Sequence, residues 1–113
     1  QSGLVSADVD ELLFGCVLPA GLLQAPARQV ALAADLPLAT QCTTVNKVCG
    51  SGMKTTMLAH DQILAGSCDT AIAGGMENMT RGPWVTSKAS KPFGRDVEMH
   101  DSSFGWRFIN KKF

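Results

Sequence analysis

Three short apolar runs alternate with two helix-forming stretches over the first two-thirds of the chain. Residues 11–18 read ELLFGCVL, a mostly apolar run closed by Pro19, which predicts a buried strand. Pro26 then stands where a helix begins, and ARQVALAA after it is rich in helix formers, with Leu36-Pro37 as the stop. Residues 42–45, CTTV, are rich in β-formers and predict a second strand. A helix is expected over residues 50–65, ended by Gly66. Residues 69–73, DTAIA, predict a third strand leading into Gly74-Gly75. Strand, helix, strand, helix, strand is the order of an α/β fold with parallel strands. In the second helix Met53, Met57 and Leu64 fall on one side with His60 beside them, which predicts that this apolar side packs into the domain. Lys54 and Asp61 form the neighbouring polar strip.

The pattern breaks after Met79. Residues 80–113 carry Pro83, Pro92 and three glycines with no clean period, and read as a long excursion from the sheet. The charge changes there too. Residues 1–79 have three basic and seven acidic side chains, a net of −4, and residues 80–113 have seven and three, a net of +4. The whole chain of 113 residues is neutral and 45% apolar, as a globular protein is, and offers no support for binding nucleic acid or a membrane surface. No run is long enough to span a membrane and no signal peptide opens the chain. Cys16, Cys42, Cys49 and Cys68 form no C-x-x-C pair, so no metal site is expected, and a reduced compartment such as the cytoplasm is. The start at Gln1 and the end at INKKF suggest a fragment of a longer polypeptide.

The stretch VNKVCGSGMK, residues 45–54, carries the candidate chemistry. It puts the Cys49 thiol ahead of Gly50-Ser51-Gly52, at a helix start. Free N–H groups and partial positive charge at such an end favour thiolate. The glycines let a substrate approach the backbone, and the N–H of Cys49 is placed to stabilise an oxyanion on a carbonyl attacked by the sulfur. An inert cysteine at a tight turn fits the same residues. Buried free cysteine accounts for Cys16, Cys42 and Cys68. No base is in view. His60 lies eleven residues on, about 16 Å along a helix, and reads as a packing residue. His100 reads as a solvated loop histidine, and Met76 and Met79 as core fillers. Gly74-Gly75, at the carboxyl end of the third strand, suit a ligand crevice or a plain turn.

Taken in order, CTTVNKVCGSGMK and AGSCDTAIAGGMENMT resemble the amino-terminal half of the thiolases, and GCVLPAGLLQAPARQVALAADLP resembles the acetoacetyl-CoA type. The resemblance covers nearly the whole chain. It implies that Cys49 accepts an acyl group from an acyl-CoA and passes it to the carbanion of acetyl-CoA, giving a 3-oxoacyl-CoA, or runs the cleavage in reverse. Coenzyme A thioesters are the substrates, and no further cofactor is expected. The family's Gly-His-Pro histidine and Cys-x-Gly-Gly-Gly cysteine occur nowhere in these 113 residues, so the segment alone is expected to be inactive.

The resemblance also implies a layered αβα fold. Residues 1–79 then form a partial amino-terminal domain, and residues 80–113 begin an inserted loop region that covers the CoA site. The family's first strand is absent from this sequence. Placed between the second and fourth strands, it would leave a central gap and a chain that folds poorly alone. Residues 43–46 correspond to the strand that pairs across a homodimer, itself complete or half of a homotetramer. The tail SSFGWRFIN is closer to thiolases acting on 3-oxoadipyl-CoA than to the acetoacetyl type, so the acyl chain stays open. The basic excess of the tail suits CoA phosphates and a solvated lid equally. Two alternatives remain: a related 3-oxoacyl synthase, and a non-catalytic thiolase-like subunit acting through its interface.

Overall fold

In the computed structural model, which describes residues 2–112, the chain divides into two compact units, Gln1–Glu77 and Asn78–Phe113. The first unit is a three-stranded parallel sheet with two crossover helices. In chain order its elements are β1 (Glu11–Gly15), α1 (Pro26–Ala33), β2 (Gln41–Val45), α2 (Ser51–Leu64) and β3 (Ala71–Gly75). A short 3-10 turn at Ser6–Asp8 precedes them.

The sheet order is β2-β1-β3, so the most apolar strand lies in the middle. Leu12 and Leu13 point to opposite faces and both are buried, as a parallel strand covered on both sides requires. Burial of each contributes about 1.5–3 kcal/mol. On the Leu12 side, Ala27 and Ala31 of α1 pack with Leu12, while Phe14, Val30, Leu36 and Cys42 close the cluster. On the other side, Gly15 meets the first turn of α2. The helices therefore cover opposite faces, in an αβα layering.

Local signals set most boundaries. Pro26 is the first residue of α1. Asp35, at φ 53°, ends α1, where the N–H of Leu36 donates to the Ala31 carbonyl at 3.0 Å. Gly66, at φ 71°, ends α2 in the same way, with the Ser67 N–H on the Gln62 carbonyl at 2.9 Å. β3 runs two residues later than expected and takes in Gly74 and Gly75 themselves. Asp10 ties its start to β1: one carboxylate oxygen accepts the N–H groups of Asp69 and Thr70, each at 2.9 Å. These bonds, Thr70 first, hold the Asp10 carboxyl below the usual aspartate range. Their support is present above the ordinary aspartate value and lost as pH falls through the depressed one.

Two expectations are corrected here. β1 pairs directly with β3, residue for residue from Glu11↔Ala71 to Gly15↔Gly75, so no gap lies between these two strands. The side of α2 that packs is also a different one. Ser51, Thr55 and Ala59 are buried, whereas Met53, Met57 and Leu64 are exposed, Leu64 by 75%. Glycine in the facing strand is the reason. With Gly15 beneath its first turn the helix settles close, and only small side chains fit between. Thr55 Oγ1 is 2.7 Å from the Gly52 carbonyl and 2.9 Å from the Gly74 carbonyl, which fastens α2 to β3.

The second unit pairs β4 (Trp84–Thr86) with β5 (Met99–Asp101) antiparallel, where the sequence showed no period. Three-residue strands are too short to display one. No helix among the described residues is long and apolar enough to cross a membrane.

The contact at Gly15 gives a stability prediction. A Cβ there would lie 2.8 Å from Gly52 N and from the Ser51 carbonyl carbon, backbone atoms that cannot swing aside. Gly15→Ala is expected to cost about 1–3 kcal/mol and to lower the thermal midpoint of the complete protein by several degrees. Gly52→Ala, whose Cβ meets open space, is expected to leave the midpoint unchanged or raise it. Equal falls in differential scanning fluorimetry would contradict the packing described.

Candidate functional site

The carboxyl ends of the strands converge on the turn between β2 and α2. The Met76 N–H donates to the Gly15 carbonyl at 2.9 Å, and the Cys16 N–H to the Val45 carbonyl at 3.0 Å. Glu77, just beyond β3, accepts the N–H groups of Val17 and Leu18 on its two carboxylate oxygens, each at 2.9 Å. Asn46 reaches the Val17 carbonyl at 3.4 Å and accepts the Val48 N–H at 3.1 Å. Each loop at this end of the sheet is thus tied to its neighbour.

Cys49 sits on that turn, exposed, two residues before α2 begins. The residue before it is strained. Val48 has φ 50°, in the left-handed region that a β-branched side chain avoids, at a cost of about 1–2 kcal/mol. The turn is closed by the N–H of Gly50 on the Lys47 carbonyl and of Ser51 on the Val48 carbonyl, both at 3.1 Å. The Ser51 hydroxyl accepts the Lys47 N–H at 2.9 Å and donates to the Val48 carbonyl at 2.6 Å.

The expectation of a ring of free N–H groups around the sulfur is narrowed by this. Those of Gly50 and Ser51 are spent inside the turn. The Cys49 N–H has no protein acceptor among the described residues. Gly50, at φ −92°, needs no glycine for its conformation, and Gly52 faces open space. Their lack of side chains keeps the surroundings of the turn clear. A small cavity of about 90 Å³ opens alongside, lined by Lys47, Gly50, Met53, Lys54 and Met57. It is well below the ~300 Å³ lower bound of ordinary small-molecule sites.

The other candidates lie apart from the thiol or play other parts. His60 is exposed, against Asp61 Oδ1 at 3.4 Å, and is not the packing residue expected. It lies nine residues into α2, about 14 Å along the axis, and is exposed because the helix turns its small-residue side, not its methionine side, to the sheet. His100 is not a solvated loop residue. It belongs to β5 and is half-buried, with its ring 4.9 Å from that of Phe108 and Nε2 3.4 Å from Glu98 Oε2. Met79 is exposed, not a core filler, and Met76 is half-buried. Nothing in the residue pattern signals the strain at Val48, since a β-branched residue is expected elsewhere. Among the described residues no group of side chains is arranged to hold a metal ion.

The four cysteines differ in setting. Burial pushes the thiols of Cys16, Cys42 and Cys68 up. The negative charge of Glu77 adds to this at Cys16, and that of Asp10, Glu11 and Asp69 at Cys68. Cys49 alone is exposed. With limiting iodoacetamide at pH 7, peptide mapping of the complete protein is expected to find Cys49 labelled first. The other three should catch up only as pH rises and their thiols ionise. Labelling of Cys42 or Cys68 at the rate of Cys49 at pH 7 would contradict this.

Comparison with known proteins agrees with the geometry. The family model described as thiolase, N-terminal domain, matches residues 1–105. Mitochondrial acetyl-CoA acetyltransferase of Rattus norvegicus is 47% identical over 101 residues, which cover 89% of this chain and 24% of that protein. Beta-ketoadipyl-CoA thiolase of Escherichia coli is 43% identical over 103 residues, covering 90% and 26%. The crystal structure of Acat5 thiolase from Ascaris suum in complex with coenzyme A superimposes with a TM-score of 0.81 at 38% identity, over 89% of this chain and 26% of that one. The chain therefore spans about a quarter of the length of these relatives. By its parallel αβα unit, its cysteine turn and its match from residue 1 to 105, the chain belongs to the thiolase family, within the N-terminal domain.

Proposed function

We propose that the complete protein is a thiolase whose acyl-accepting nucleophile is Cys49. The observation that carries this reading is the position of the thiol: exposed, on a strained turn at the start of α2, where the carboxyl ends of three parallel strands meet. Open α/β sheets place their ligands at that end.

In the first step the Cys49 thiolate attacks the carbonyl carbon of an acyl-CoA. A new carbon–sulfur bond forms, the bond to the CoA sulfur breaks, and CoA leaves as its thiolate. The N–H of Cys49 is placed to meet the oxyanion of the tetrahedral intermediate. In the second step acetyl-CoA loses a proton from its methyl carbon to a base. The resulting carbanion attacks the acyl carbon, the bond to Cys49 breaks, and a 3-oxoacyl-CoA departs. Thiolysis is the same sequence in reverse. Splitting the transfer around a covalent acyl-cysteine is the usual gain of nucleophilic catalysis.

His60 cannot act as the base at its distance. The histidine and the second cysteine that the family resemblance implies are assigned to parts of the complete protein outside these residues, as are the remaining walls of the pocket. No cofactor beyond the CoA thioesters is invoked. Residues 80–113, with their basic excess of +4, are read as the beginning of the region that covers CoA. The outer edge of β2, which among the described residues pairs only with β1, is read as the strand that joins two copies in a homodimer or homotetramer. Relatives named for acetyl-CoA and for beta-ketoadipyl-CoA both match at over 40% identity, and either acyl group is compatible with this reading.

Cys49→Ala in the complete protein is expected to lower kcat for thiolysis of acetoacetyl-CoA by about 10³-fold or more with little change in thermal midpoint. Activity within tenfold of the unsubstituted protein would remove Cys49 from the reaction.

A further inference from the structure

We propose that Ser51 is a positioning residue for the thiol: its hydroxyl holds Val48 in the left-handed conformation that presents Cys49 at the head of α2. The inference rests on the acyl-transfer reading of Cys49 and adds to it the part that sets the nucleophile in place.

Val48 at φ 50° is unfavourable for a β-branched residue, and left to itself the turn would relax. Packing does not hold it, since the Val48 side chain is 66% exposed. The restraint comes from the Ser51 hydroxyl, which spans the strained residue, together with Asn46 Oδ1, which accepts the Val48 N–H at 3.1 Å. The hydroxyl accepts the N–H of Lys47 on one side of Val48 and donates to the carbonyl of Val48 itself. Ser51 is buried, so water does not readily substitute for the hydroxyl. It is also locked from behind, because its Cβ lies against the bare Cα of Gly15, where even one added carbon would sit at 2.9 Å. A hydroxyl is the one small group that both accepts and donates in that space. Alanine would leave the Lys47 N–H unpaired and release one of the two ties on the Val48 carbonyl. The Ser51 N–H would remain as the other.

The test separates holding a strained turn from simply filling the helix start. Glycine takes a left-handed φ without steric cost, so Val48→Gly removes the strain that the hydroxyl is needed to oppose. Ser51→Ala is made in the complete protein with Val48 present and again with Val48→Gly. Two quantities are read: the second-order rate of Cys49 alkylation by iodoacetamide, and kcat with KM for thiolysis of acetoacetyl-CoA. With Val48 present, Ser51→Ala is expected to lower both the alkylation rate and kcat by about tenfold or more, with KM changed by less than about threefold. In the Val48→Gly background the same substitution is expected to cost less than about threefold. Equal losses in the two backgrounds, or no loss in either, overturn the role given to Ser51. Absence of turnover by the unsubstituted protein overturns the acyl-transfer reading itself, and is read independently of the comparison between backgrounds.

Discussion

The first turn of α2 rests directly on the backbone of β1. Gly15 makes this possible, because any side chain there would strike Gly52 N and the Ser51 carbonyl carbon at 2.8 Å. The close approach decides which side of α2 faces the sheet, since Ser51, Thr55 and Ala59 fit the narrow space and methionine does not. It lets Thr55 reach the Gly74 carbonyl. It also fixes the height of the preceding turn above the strand ends, and so the place of Cys49. Packing, hydrogen bonding and the site therefore share one origin, a glycine at the end of the central strand.

From that seat the chemistry of the thiol follows by contrast with its neighbours. Cys16 lies at the end of β1 and is buried; Cys42 and Cys68 are half-buried, and all three have their thiols pushed up. Cys49 is lifted out of the domain by a turn whose own backbone is strained. The strain at Val48 is sustained by bonds from Asn46 and Ser51 on either side of it. Unfavourable backbone of this kind persists where the surroundings over-determine it, and such places are commonly functional.

Much of the frame was legible from local signals. The apolar run of residues 11–18 marked the central strand, Pro26 the start of α1 and Gly66 the end of α2, because each acts on its own few residues. The motif around Cys49 drew attention through its glycines and helix start. What stayed hidden depends on partners distant in sequence. The methionines of α2 repeat like a packing face, but the sheet opposite offers glycines, and a single-helix pattern does not report that. The direct pairing of β1 with β3 is a matter of strand order, on which the sequence is silent. Val48 gave no warning because a β-branched residue is poorly suited to its conformation, and the bonds that restrain it come from Asn46 and Ser51, contacts that no periodic pattern reports.

The central claim is that the Cys49 sulfur carries an acyl group between two CoA thioesters. Peptide mapping by mass spectrometry after incubation of the complete protein with acetyl-CoA tests it most directly. The account predicts a single acetyl thioester on the peptide containing Cys49, discharged when free coenzyme A is added. Acetylation confined to other residues, or an acetyl group on Cys49 that coenzyme A does not remove, would contradict it.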